Sequence, residues 1–304
     1  MGFSSIEGVS FETQDALSVI VIENALATAK ITPYGACVLS FIPKKSGSND
    51  KGNPAGAQDL LWVSPTAVYN AKKPVRGGIP ICWPWFGRHP LNSTMPAHGF
   101  VRNLVWNLEG IQNLASEATE LVFSLEHSEA TLVLWPYRFH LTLTVTVAET
   151  LSLRLTTTNL SDKKMVLTEA FHSYFKVQDV RNVSVLGLEN STQIDTLNAM
   201  RRCLQTELLT LSPPIDSVWI NHSSHAVIED KGLARCIEIN KHGSDSTVVW
   251  NPGVKTVKGF QDIPNEQWPE FLCVESGNVF ESTVTLLPNE THNLLLQIAQ
   301  KTHK

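Results

Sequence analysis

The stretch from Pro74 to Trp106 gathers most of the side chains in this chain that are suited to holding a polar ligand. Arg76 stands before Gly77 and Gly78, two residues without a Cβ that let backbone and ligand approach closely. Its planar guanidinium suits bidentate contact with a phosphate or a carboxylate. Trp83, Trp85 and Phe86 follow, and an aromatic ring can offer its apolar face to the C–H face of a sugar while polar neighbours take the hydroxyls. Arg88 and His89 add two potential cations, and Ala97-His98-Gly99-Phe100-Val101-Arg102 adds an imidazole and another guanidinium after a Pro-ended loop. Any one of these is also compatible with a surface charge or a core ring. Their concentration in one Gly- and Pro-rich stretch points to a shallow polar site.

Three later segments supply proton-transfer chemistry. In Thr168-Glu169-Ala170-Phe171-His172-Ser173-Tyr174-Phe175, His172 ends a strand-like run among aromatics, and imidazole exchanges protons near neutral pH. Asp216 lies between the Pro213-Pro214 turn and an apolar strand, where a carboxylate can accept sugar hydroxyls or cap the turn. Glu275 directly follows Phe271-Leu272-Cys273-Val274, so it is expected at a strand end, partly desolvated, with a raised pKa suited to a base.

The elements that must position these groups are strands. Phe139, Leu141, Leu143, Val145 and Val147 alternate with polar residues, and after Glu149-Thr150 the alternation resumes at Leu151, Leu153 and Leu155, predicting a tight antiparallel hairpin. Further strands are predicted at Leu17 to Ile22, Leu121 to Leu125, Met165 to Thr168, Val183 to Leu186, Thr247 to Trp250, Phe271 to Val274 and Leu294 to Ile298. No long amphipathic helix is evident. Many strands without intervening helices imply an all-β fold of packed antiparallel sheets. Residues 1–304 read as one domain, with Lys44 to Gln58 as a surface loop or hairpin tip.

Apolar residues at 42% and charged residues at 17% support an extensive core and argue against disorder. A net charge of −5 gives no whole-chain field for nucleic acid or an anionic membrane. The N-terminus lacks a signal-like pattern and no segment has the length of an apolar span, so a cytoplasmic protein is expected. The five cysteines are odd in number and lack a CxxC pair, predicting buried or inert thiols without disulfides or zinc.

PVRGGIPICWPWFG, AHGFVRN, EAFHSYF, VVWNP and CVESGN, in this order, resemble the glucose-6-phosphate 1-epimerase branch of the aldose 1-epimerase superfamily. The resemblance runs from Ile31-Thr32-Pro33-Tyr34-Gly35-Ala36 to the C-terminal strands. It implies a large β-sandwich of the galactose-mutarotase type with its site on the concave face of one sheet. It also implies His172 as general acid, Glu275 as general base, His98 and Asp216 as sugar-holding residues, and Arg76 and Arg102 as basic positions for the 6-phosphate. The chain departs from the pattern at Ser217 and Gln193, where the family often has arginine and tyrosine. Two cations, Arg88 and His89, stand where the family is less basic, so phosphate recognition is expected to extend to one of them.

The implied reaction is interconversion of the α and β anomers of a hexose 6-phosphate, needing no metal, nucleotide or redox cofactor. A monomer acting on a small molecule, with neither nucleic acid nor membrane as partner, is expected. Rival readings are an epimerase of unphosphorylated aldoses, a non-catalytic carbohydrate-binding module, and a metalloenzyme, the last supported only by the weak pair His222 and His225.

Overall fold

Alternation of side chains across the pleat governs the computed structural model, which describes residues 6–44, 58–89 and 91–302. The Lys44 to Gln58 loop therefore lies almost wholly outside the described residues. The predicted hairpin forms as Phe139–Val147 and Thr150–Asn159, with Val147 paired to Leu151. It occupies the interior of a nine-stranded antiparallel sheet, between Thr119–Glu126 on one side and Thr291–Thr302 on the other.

An eight-stranded antiparallel sheet lies against it. Its order runs from Arg201–Leu204 through Thr192–Asp195, Ile215–Ile220, Ser246–Asn251, Phe271–Asn278 and Glu169–Phe171 to Ile81–Cys82, and Tyr174–Lys176 also pairs with Phe271–Asn278. Trp219, Val249, Leu272, Val274 and Phe171 from this sheet share one buried apolar cluster with Leu143, Leu153, Ile237 and Leu296 from the nine-stranded sheet. The two sheets are thus the layers of a sandwich, in which inward residues of both faces form the core. A four-stranded meander, Val9–Gln14, Leu17–Glu23, Ala27–Thr32 and Cys37–Pro43, and a two-stranded ribbon complete the fold.

Period two decides where the chemistry goes. Trp219 and Val249 point into the core, so their neighbours Val218 and Val248 point to the opposite face of the eight-stranded sheet, where they line a cavity with Asp216, Trp250 and Glu275. The strand expected to end near Val274 continues to Asn278, which corrects the position of Glu275 from strand end to strand interior. Only two short α-helices occur among the described residues, Glu129–Leu134 and Gly253–Thr256.

The Pro74 to Trp106 stretch is less uniformly a site than its composition suggests. Trp83 and Trp106 are core residues, Trp83 packing edge-on against Phe100, Trp135 and Phe139. Trp85 and Phe86 line the cavity. Cys37, Cys82 and Cys273 are buried as expected, whereas Cys203 is exposed and donates to Gln193 Oε1, and Cys236 is half-buried.

Candidate active site

Glu169–Phe171 and Tyr174–Lys176 both pair with Phe271–Asn278, and the pairing breaks between them at His172 and Ser173. At that break the His172 amide donates to Pro80 O, 2.9 Å away. Glu275 comes from the facing strand, and its Oε1 lies 3.4 Å from His172 Nδ1. Both residues are buried, Glu275 with only 1% of its surface exposed. Among the described residues Glu275 Oε2 has no hydrogen-bond partner, and His172 Nδ1 has only its poorly aligned approach to Glu275 Oε1. Buried polar atoms are normally paired, so these two are poised for a ligand.

The pair sits in the wall of a cavity of about 720 Å³, within the range of small-molecule sites. His98, Asp216, Arg76 and Arg88 line the same cavity, together with Trp85, Phe86, Trp250 and Phe260. Six of the eight polar residues singled out in the sequence therefore converge. Arg102 does not join them. Its Nη2 donates to Ala97 O at 2.8 Å, so the side chain braces the loop carrying His98. His89 also stays outside the cavity wall; its Nδ1 accepts from the Leu91 and Asn92 amides while its ring packs edge-on against Trp85.

Arg76 reaches the cavity with much of its donor capacity engaged. Nε lies 3.2 Å from Asp262 Oδ1, Nη1 donates to Tyr174 Oη at 3.1 Å, and the guanidinium lies 5.3 Å from the centre of the Phe260 ring. Burial alone would weaken its charge, but Tyr174 and Asp262 more than offset that and hold it a cation. Arg88 has no hydrogen-bond or ion-pair partner among the described residues. It is the cation of the cavity that is free for an anion.

Burial, and next the neighbouring His98, Arg102 and Arg76, pull the His172 pKa well below its ordinary value. Burial pushes that of Glu275 well above the carboxylate range, Asp216 adding to the effect and Arg102 opposing it. Asp216 is raised too, chiefly by burial. Both members of the dyad thus resist charge, and at this distance they titrate as a coupled pair. Cys273 brings a thiol near them, so that three ligand-type atoms lie within 4.8 Å. Burial holds that thiol protonated, and the thiolate is the form that ligates metal.

Sequence reasoning missed Tyr174, Phe260 and Asp262 as working parts. Tyr174 stacks on His172 with centroids 4.8 Å apart and planes 7° from parallel, and its hydroxyl is the atom held by Arg76. Its place two residues after His172 was the available signal. Phe260 and Asp262 lie in an irregular connection that no periodicity marks.

A buried histidine–glutamate pair beneath an aromatic and cationic rim, on one face of a sheet of a β-sandwich, is an arrangement suited to an enzyme that acts on a small polar ligand such as a carbohydrate. The chain belongs to the aldose 1-epimerase family, whose model matches residues 18–299. Among curated relatives, a protein of Salmonella typhimurium is 34% identical over 86% of this chain and 83% of its own length. One of Escherichia coli is 33% identical over 88% and 85%. Both carry the name "Putative glucose-6-phosphate 1-epimerase". The crystal structure of the Salmonella typhimurium protein YeaD superposes with a TM-score of 0.87 and 30% identity, covering 98% of this chain and 95% of that one.

Proposed function

We propose that the protein interconverts the α and β anomers of a hexose 6-phosphate, glucose 6-phosphate foremost, by opening and reclosing the sugar ring. The observation that carries this reading is the buried Glu275–His172 pair, 3.4 Å apart in a sugar-sized cavity with a free arginine. The names of the relatives support the substrate.

Ring opening needs the C1 hydroxyl to lose a proton as the ring oxygen gains one. Glu275 takes the proton of O1 while protonated His172 donates to O5; the C1–O5 bond breaks and the aldehyde forms. After rotation about C1–C2, Glu275 returns its proton to O1, His172 recovers its own from O5, and the ring closes on the other face. The pair enters as carboxylate and imidazolium and leaves the opening step as carboxyl and imidazole. That uncharged state is the one that burial favours at both residues, so the opening step runs toward the protonation state the site prefers, and forming the starting ion pair is part of the barrier.

Positioned acids and bases each contribute about 10²–10⁴-fold. Glu275→Gln and His172→Asn are expected to lose at least about a hundredfold in anomerisation rate while keeping the wild-type circular dichroism spectrum. Folded variants with near-normal turnover would remove the dyad from the mechanism. Acceleration of free aldoses with none of the phosphate ester would instead favour the unphosphorylated-sugar reading.

A further inference from the structure

His98 is held in a manner that settles which of its ring nitrogens carries the proton. Its backbone is in the left-handed region, φ 63°, a conformation kept in a non-glycine residue only when the surroundings impose it. Gly87 imposes it from both sides: the His98 amide donates to Gly87 O at 2.7 Å, and the Gly87 amide donates to His98 Nδ1 at 3.3 Å. The Cys82 Sγ lies 3.4 Å from that same Nδ1, and Phe86 packs its ring edge-on at 4.8 Å.

A backbone N–H can only donate. Nδ1 is therefore drawn to present its lone pair toward Gly87, but at 3.3 Å that contact is long for an N–H hydrogen bond and does not fix the tautomer alone; a bare Nδ1 has nothing to give to sulfur. The Cys82–His98 contact is consequently an S–H donating to nitrogen. Burial supports both halves: the Cys82 thiol is held protonated, and the His98 pKa is lowered to about 3, mainly by burial and then by Arg102 and Arg76, leaving the ring a single proton. A thiol suits this place because Cys82 is fully buried in an apolar cluster with Ala170, Val218 and Val248, where sulfur packs as a hydrophobe and asks for no second partner. Nε2 has no hydrogen-bond partner among the described residues, and the ring lines the cavity with its centre 5.4 Å from that of His172.

We propose that Cys82 is a positioning residue: with the Gly87 amide it locks His98 as the Nε2–H tautomer, a fixed hydrogen-bond donor to an oxygen of the bound sugar. The two cavity imidazoles then have separate duties. His98 gives a hydrogen bond and cannot act as a base, which leaves proton exchange to His172 and Glu275. The identity of the acceptor as a sugar oxygen rests on the function proposed above; the tautomer does not.

Long-range ¹H–¹⁵N spectra of the imidazoles in the sugar-free protein at neutral pH test this, with the His98 signals assigned by their loss in His98→Gln. The wild-type protein is expected to show His98 with Nε2 protonated and Nδ1 bare. Cys82→Ala is expected to yield a mixture of tautomers and, because one neutral hydrogen bond is at stake, a roughly five- to tenfold fall in kcat/KM carried mostly by KM. Cys82→Ser, which keeps a donor, is expected to restore the single tautomer and most of the lost efficiency. A wild-type His98 protonated on Nδ1, or on both nitrogens, overturns the proposal, as does a Cys82→Ala protein with an unchanged tautomer. Should Cys82→Ala fail to fold, Cys82→Val, which keeps the apolar packing and removes the donor, takes its place. The expected tautomer in a protein that accelerates no anomerisation would defeat the functional reading alone.

Discussion

At the scale of single residues, the two arginines of the cavity have different duties. Arg76 is held by Asp262 and itself holds the Tyr174 hydroxyl, whose ring stacks on His172; removing it is expected to disturb His172 whatever the substrate. Arg88 touches none of that machinery. A charge-assisted hydrogen bond contributes about 1.5–3 kcal/mol, so Arg88→Ala is expected to lower kcat/KM at least about tenfold on glucose 6-phosphate with much less effect on free glucose. Arg76→Ala is expected to depress both substrates. Steady-state rates on the two sugars separate the cases, and an equal loss from Arg88→Ala on both would take the phosphate away from Arg88.

At the scale of elements, the stretch between Ile81 and Phe100 supplies Trp85, Phe86, Arg88 and His98 to the cavity wall, and its glycines show how tightly it is held. Gly99 has φ 74° and pairs in a parallel bridge with Trp83, and a Cβ there would run into the Trp83 carbonyl. Gly87 has φ 71°, yet a Cβ on it meets nothing within 4 Å. Gly87→Ala should then cost only the left-handed backbone penalty, about 1–2 kcal/mol, while Gly99→Ala must also move one of two backbones. Thermal unfolding is expected to rank Gly99→Ala well below Gly87→Ala; similar losses would mean that the bridge yields. The same stretch marks the limit of what the sequence reveals. Alternation exposed the strands around Phe139–Val147 and Phe271–Asn278, since one face of each is core. It did not show that Trp83 faces the core and Trp85 the cavity, because an irregular loop has no period. The Asp262–Arg76–Tyr174 arrangement joins residues 186 and 98 positions apart, a long-range relation that composition does not encode.

At the scale of the whole molecule, buried imidazoles tie stability to pH. His222 is buried in the fold, with Nδ1 2.8 Å from Thr247 Oγ1 and Nε2 2.7 Å from Gly187 O. Burial, and next the nearby Lys241, lowers its pKa to about 4. The unfolded chain binds this proton below about 6.5 whereas the folded protein does not until about 4, so the contribution of His222 to stability grows as pH rises through that window and is lost as pH falls. Relative to His222→Gln, the wild-type advantage in urea unfolding is expected to shrink by on the order of 2 kcal/mol between pH 7 and pH 4. A pH-independent gap would place the charge of His222 outside the stability balance.

The central claim is the chemistry of the cavity, and the most direct measurement follows freshly dissolved α-glucose 6-phosphate as it equilibrates with its β anomer, by NMR or polarimetry, with and without the protein and beside free glucose. The account expects strong acceleration of the phosphate ester, abolished by Glu275→Gln and weaker for the free sugar. Equilibration at the spontaneous rate with folded wild-type protein present would contradict it.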